Sequence, residues 1–91
     1  MFKSTPYAEV CGTSFHDVTI KCSLKKLVKL FGKSVGASDK VTHEWVLTGP
    51  DGRVVTVYDY KYDGAIDGYW HVGAYTKETC LLFRDWFIQN A

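Results

Sequence analysis

The chain is poor in the features that usually announce a function. No apolar run approaches the roughly 20 residues of a membrane-spanning helix, and the opening MFKSTPYAEV lacks an apolar signal segment. A membrane partner is therefore not expected. Charge of one sign is also missing: 11 basic and 10 acidic residues leave a net charge of +1. That balance argues against a strong nucleic-acid footprint, which needs a clustered excess of lysine and arginine. The three cysteines, Cys11, Cys22 and Cys80, make neither a CxxC motif nor an even disulfide framework. They read as reduced, mostly buried thiols of a cytosolic protein. The three histidines have no metal-ligand spacing, and the stretch YDGAIDG at 62–68 lacks the further oxygen ligands and closing Glu of a calcium loop. No catalytic signature is complete, so no catalytic residue, metal or cofactor is assigned.

What is present is one small domain spanning residues 1–91. Hydrophobic residues make up 46% and aromatics 15% of the chain, enough for a modest core. So short a chain buries a limited fraction of its surface, and a homo-oligomer would supplement it.

The stretch from Lys40 to Lys61 organises the rest. Its two halves are rich in β-branched and aromatic residues, and Gly49-Pro50-Asp51-Gly52 between them has the composition of a turn, so a hairpin is expected. With Thr48 opposite Arg53, one face carries His43, Trp45, Leu47, Val54, Thr56, Tyr58 and Tyr60. The other carries Thr42, Glu44, Val46, Val55, Val57 and Asp59. A slip of one residue would exchange the faces of a strand. The aliphatic second face suits helix packing, and the aromatic first face suits a ligand or partner.

Upstream, residues 1–13 are weakly patterned, with room for a short strand at Ala8 to Cys11. His16, Val18, Ile20 and Cys22 alternate with polar neighbours, as in a half-buried strand. Ser23 can cap a helix from about Leu24 to Phe31, with Leu24, Leu27, Val28 and Phe31 on one face, lysines opposite and Gly32 as its stop. The lysines read as a solvated face. Residues 33–39 and 62–68 read as loops. YWHVGAY at 69–75 gives a further strand, with Trp70, Val72 and Ala74 sharing a face; Gly73 within it suggests a bulge or a close approach. Thr76 caps a last helix whose broad apolar face holds Cys80, Leu82, Phe83, Trp86 and Phe87. Leu81 and Ile88 lie elsewhere on it, as a candidate oligomer interface. The expected fold is an α+β domain of order β-α-β-β-β-α. Its antiparallel sheet, with a meander of the last three strands, is covered by two helices.

The titratable candidates are His43, Glu44, Asp59 and His71. His43 and Glu44 are adjacent on a strand and so point to opposite faces. A Cys80–His71 pair would suit a hydrolase, but buried inert cysteine is the commoner state. The aromatic set, Trp45, Tyr58, Tyr60, Tyr62, Tyr69, Trp70 and Tyr75, interleaves with Arg53, Lys61 and His71. Such a set can hold a nucleobase and phosphate or form a protein interface. For Trp45 and Trp70, filling the core is an equal reading.

LVKLFG (27–32), KVTHEWVL (40–47), DGRVVTVYDYK (51–61) and WHVGAY (70–75) together resemble a group of small bacteriophage proteins. Their pattern is a Leu-rich helix ending in Phe-Gly, then K-V-x-x-E-W, a D-G turn, V-x-T-I-Y-D-(Y/W)-K and W-H-(I/V)-G-G. The match spans roughly residues 14–76 and departs at Ala74, where the pattern has Gly. The resemblance implies a phage protein acting in the host cytoplasm, and such small proteins often counter host defence. The expected function is a non-catalytic sponge for a small nucleotide immune signal, either a cyclic nucleotide or an ADP-ribose derivative. Trp45, Tyr58, Tyr60, Trp70 and His71 would stack and hydrogen-bond, Arg53 and Lys61 would meet phosphate, and Glu44 and Asp59 would read base or ribose donors. The alternatives are an inhibitor binding a host defence protein through the aromatic face, and a phosphodiesterase-like enzyme with His71 as base.

Overall fold

Local signals set the first helix. In the computed structural model, which describes residues 1–34, 41–61 and 63–90, Ser23 Oγ accepts from Lys26 N at 3.2 Å and Gly32 N donates to Val28 O at 2.8 Å. These bonds satisfy polar groups at both ends of helix α1, Leu24–Phe31. Leu27 and Phe31 are buried on its inner face, while Val28 turns outward. Most of the loop expected at 33–39, the first hairpin residue Lys40, and Tyr62 lie outside the described residues.

Around this helix runs β1 (Lys3–Ser4), β2 (Ser14–Lys21), α1, β3 (Glu44–Thr48), β4 (Val54–Tyr58), a four-residue helix α2 (Gly64–Asp67), β5 (Tyr69–Ala74) and α3 (Lys77–Asn90). The strands form one antiparallel sheet in the order β1-β3-β4-β5-β2. The α+β class, the meander of the last three long strands and the two covering helices are as expected. Strand β1 replaces the strand expected at Ala8 to Cys11, where the chain instead turns. The 62–68 loop contains the single helical turn of α2.

The hairpin register differs from the expected one by a residue. Thr48 pairs with Val54 and Trp45 with Val57. Five residues close the turn, held by Gly49 N donating to Arg53 O at 2.9 Å and Gly52 N donating to Gly49 O at 3.1 Å. The longer loop brings Trp45 and Leu47 onto the same face as Val55 and Val57, all at most 1% exposed. Burial of these four side chains, each worth roughly 1.5–3 kcal/mol, decides the register. Glu44, Val46, Thr56 and Tyr58 go to the opposite face.

Trp45, Leu47, Val55, Val57, Trp70, Val72, Val18 and Ile20 pack against Leu27 and Phe31 of α1 and Cys80, Phe83 and Phe87 of α3. Phe2 closes the rim, edge-on to Phe83 at 5.1 Å. Leu81 is half-buried against this core, whereas Leu82 is exposed. This reverses the expected placement of the two residues on α3. Of the cysteines, Cys80 is buried, Cys22 half-buried and Cys11 exposed, and all are free thiols. Burial, partly offset by Lys26, pushes the Cys22 thiol up to about 11, which keeps it unreactive.

Candidate functional site

The helix-free face of the sheet carries a cup. Its floor is Thr56, whose hydroxyl sits over Gly73 on the neighbouring strand. A Cβ at Gly73 would lie 2.5 Å from Thr56 Oγ1 and 3.4 Å from both Ser14 O and the Tyr58 ring. The close approach suggested by a glycine within a strand is therefore real, and it leaves room above the floor. Tyr58 and Tyr60 form one wall. Val10, Thr13 and Ser14 form another, and Glu44 and Val41 complete a cavity of about 280 Å³.

The second wall exists because the segment before β2 is tied down. Tyr75 Oη donates to Glu9 O at 3.0 Å, and Cys11 N donates to the Glu9 carboxylate at 2.8 Å. A bulge then follows. Phe15 pairs with Gly73 but Val18 pairs with Val72, and Asp17 adopts a positive φ of 62°. This places the Phe15 ring on the His71 ring, stacked at 4.3 Å. His71 also meets Tyr58 edge-on at 5.5 Å and Tyr60 at 6.1 Å. The Lys61 ammonium lies over the Tyr60 ring, 5.4 Å from its centre.

Burial sets the electrostatics. It raises the Glu44 carboxyl above its usual range. It also raises the Tyr58 phenol, with the neighbouring Glu44 charge adding to the effect. His71 is lowered by the same cause, so its imidazole is neutral at pH 7. Among the described residues, no hydrogen-bond donor or cation of the protein pairs with the Glu44 carboxylate. The cup thus offers the tyrosine rings, the hydroxyls of Thr13, Ser14 and Thr56, and a Glu44 carboxylate whose oxygens reach solvent, with the His71 imidazole and the Lys61 ammonium against the tyrosines.

Of the nine expected binding residues, Glu44, Tyr58 and Tyr60 line the cavity, while His71 and Lys61 adjoin it through contacts with the tyrosine rings. The other four do neither. Trp45 and Trp70 lie under the sheet, 1% and 0% exposed, donating to Gly32 O at 2.8 Å and Cys22 O at 2.9 Å. Arg53 turns to α3, reaching Glu78 at 3.3 Å and Thr79 Oγ1 at 3.2 Å. Asp59 is buried and already saturated. It accepts from Thr42 N at 2.8 Å, His43 N at 2.7 Å, His43 Nδ1 at 3.0 Å and Gly64 N at 2.9 Å. Burial alone would raise its carboxyl, but these hydrogen bonds win and hold it below the usual range.

Sequence reading missed Val10, Thr13, Ser14 and Val41 as parts of the cup, and put Thr56 on the aromatic face with Tyr58 and Tyr60 without naming it as a binding residue. Gly73, read as a close approach, pointed at the floor of the cup. Sequence reading also missed a second grouping: ligand atoms of His43, Asp59 and Asp63 lie within 4.8 Å of one another. A cation there would compete with the four N–H donors on Asp59, so this cluster is a structural tie between β4 and α2.

No protein-family model, curated protein or solved structure matches the chain. Among the described residues, no helix is long and apolar enough to cross a membrane.

Proposed function

We propose that this protein binds and sequesters a small nucleotide without transforming it, as a phage anti-defence sponge acting in the host cytoplasm. The observation that carries this reading is the cavity walled by Tyr58 and Tyr60, with the His71 ring against theirs and the Lys61 ammonium over Tyr60. Aromatic surfaces hold bases at about 1–3 kcal/mol each, and the ammonium supplies a phosphate contact outside the cavity. The volume, about 280 Å³, falls just below the 300–1,000 Å³ or so that encloses a drug-sized ligand. It suits one base with part of its sugar, the rest of the ligand reaching outward.

Native mass spectrometry with cyclic nucleotides and ADP-ribose derivatives tests the proposal. The expected result is an intact nucleotide at fixed stoichiometry, weakened by roughly 1–3 kcal/mol in Tyr60→Ala. A folded protein that binds none of them overturns it.

A second reading, an inhibitor that binds a host defence protein, draws support from the same face. Tyr69, Tyr75 and Phe15 are 53%, 48% and 38% exposed there, and tyrosine-rich surfaces favour protein partners. Under either reading we propose a homo-oligomer. Its support is the exposed Ile88 beside Lys21 and Arg84, in a groove between α3 and the edge strand β2.

A further inference from the structure

We propose that Glu44 is the specificity-determining residue of the cup, and that it selects a planar group presenting two adjacent N–H donors, the edge a guanine base offers. The inference rests on the nucleotide reading and narrows it to guanine nucleotides.

Glu44 is a half-buried carboxylate that has no hydrogen-bond or ion-pair partner among the described residues. Asp59, on the other side of the sheet, shows the alternative: its carboxylate is met by four N–H donors. The Glu44 oxygens keep water as their partner instead, so a ligand that displaces this water must bring donors of its own. Glu44 therefore has unused acceptor capacity facing a cavity walled by Tyr58 and Tyr60.

Ionised carboxylate oxygens only accept. A ligand edge of paired donors satisfies them with two charge-assisted bonds. Guanine has such an edge in its ring N–H and exocyclic amino group, and its flat body suits the tyrosine wall. Adenine places a ring nitrogen lone pair where guanine has the ring N–H, which the carboxylate repels. Phosphate is repelled as well, so the sugar-phosphate leaves toward Lys61. The base goes in and the phosphate stays out.

Isothermal titration of the full chain with GMP, IMP and AMP tests this, alongside Glu44→Gln. GMP should bind about 10- to 100-fold more tightly than AMP, the worth of a hydrogen bond to a charged group. IMP, which lacks the amino group, should fall between. Glutamine presents one acceptor and one donor, so Glu44→Gln should weaken GMP and shift preference toward AMP. Equal binding of GMP and AMP, or an unchanged ratio in Glu44→Gln, overturns the role of Glu44 and leaves the nucleotide reading standing. If all three nucleotides fail and N-acetyl-arginine amide binds instead, the paired-donor chemistry belongs to a protein side chain. Both the guanine assignment and the nucleotide reading then fall.

Discussion

Trp45 and Trp70 hold opposite ends of one helix. The Trp70 indole N–H donates to Cys22 O just before α1, and that of Trp45 donates to Gly32 O just after it. The two rings meet edge-to-face at 5.4 Å, inclined by 75°. Both tryptophans thus serve the core and anchor α1 to the sheet, with no ring surface left for a ligand.

Trp70→Phe should therefore cost stability and spare binding. The substitution strands Cys22 O and leaves a void, a loss of about 1–3 kcal/mol. Thermal unfolding should fall by several degrees per kcal/mol. The affinity of the folded fraction for GMP should stay unchanged. A large loss of affinity with normal stability would return Trp70 to the site.

The floor of the cup makes a sharper demand. Gly73→Ala drives a methyl group toward Thr56 Oγ1, with strand backbone at its back. Overpacking of this kind costs about 1–3 kcal/mol. Adding Thr56→Ala should recover much of the loss, and the double-mutant cycle should show coupling above about 0.5 kcal/mol. Additive losses would mean that the two residues do not press on each other.

Some of this was legible from sequence and some was not. Helix α1 and its caps were, because Ser23, Gly32 and the Leu27–Phe31 spacing act within a few residues. The alternation of β5 was also legible, so Trp70, Val72 and Ala74 were rightly grouped. Alternation tells which residues share a face, but not which face the helices cover, so Trp45 and Trp70 stayed ambiguous. The hairpin register turned on one extra loop residue at Arg53. The cup depends on a bulge at Asp17 and on Tyr75 gripping Glu9 across 66 residues of sequence, and neither leaves a periodic trace.

Two groups should make the fold sensitive to acid in successive stages. His71 has a folded-state pKa below its usual ~6.5, so the unfolded chain takes up the proton first. Its contribution is present above ~6.5 and is lost as pH falls through the folded value. Asp59, also lowered, adds stability above its ordinary value near 3.8, and that is lost at still lower pH. Glu44, whose raised pKa acts in the opposite direction, is common to both proteins, so from pH 7.5 to 5 the urea midpoint of the wild type should fall relative to that of His71→Asn. An equal change in both would remove His71 as the cause.

Ile88 and Leu81 separate an interface from a core. Ile88 is 68% exposed, whereas Leu81 packs partly against the core. Ile88→Asp should leave thermal stability within about 0.5 kcal/mol at low concentration and lower the mass seen by sedimentation. Leu81→Asp should instead destabilise the monomer itself. Unchanged mass in a folded Ile88→Asp would remove this residue from any oligomer contact.

Glu44 should show what its position costs. Its folded-state pKa is raised by burial, so the folded chain holds the proton more tightly than the unfolded chain. The stability this provides is present below the ordinary value near 4.5 and is lost as pH rises through the folded value. At pH 7 the wild type therefore carries a charge the fold disfavours, and Glu44→Gln removes it. The variant should melt at a higher temperature than wild type at pH 7, and the gap should close on acidification toward pH 4. A stabilised variant that has also lost its preference for GMP is the signature of a carboxylate kept for a ligand at the expense of the fold. If Glu44→Gln melts lower at pH 7, the carboxylate has a stabilising partner within the protein, and its role in recognition falls with it.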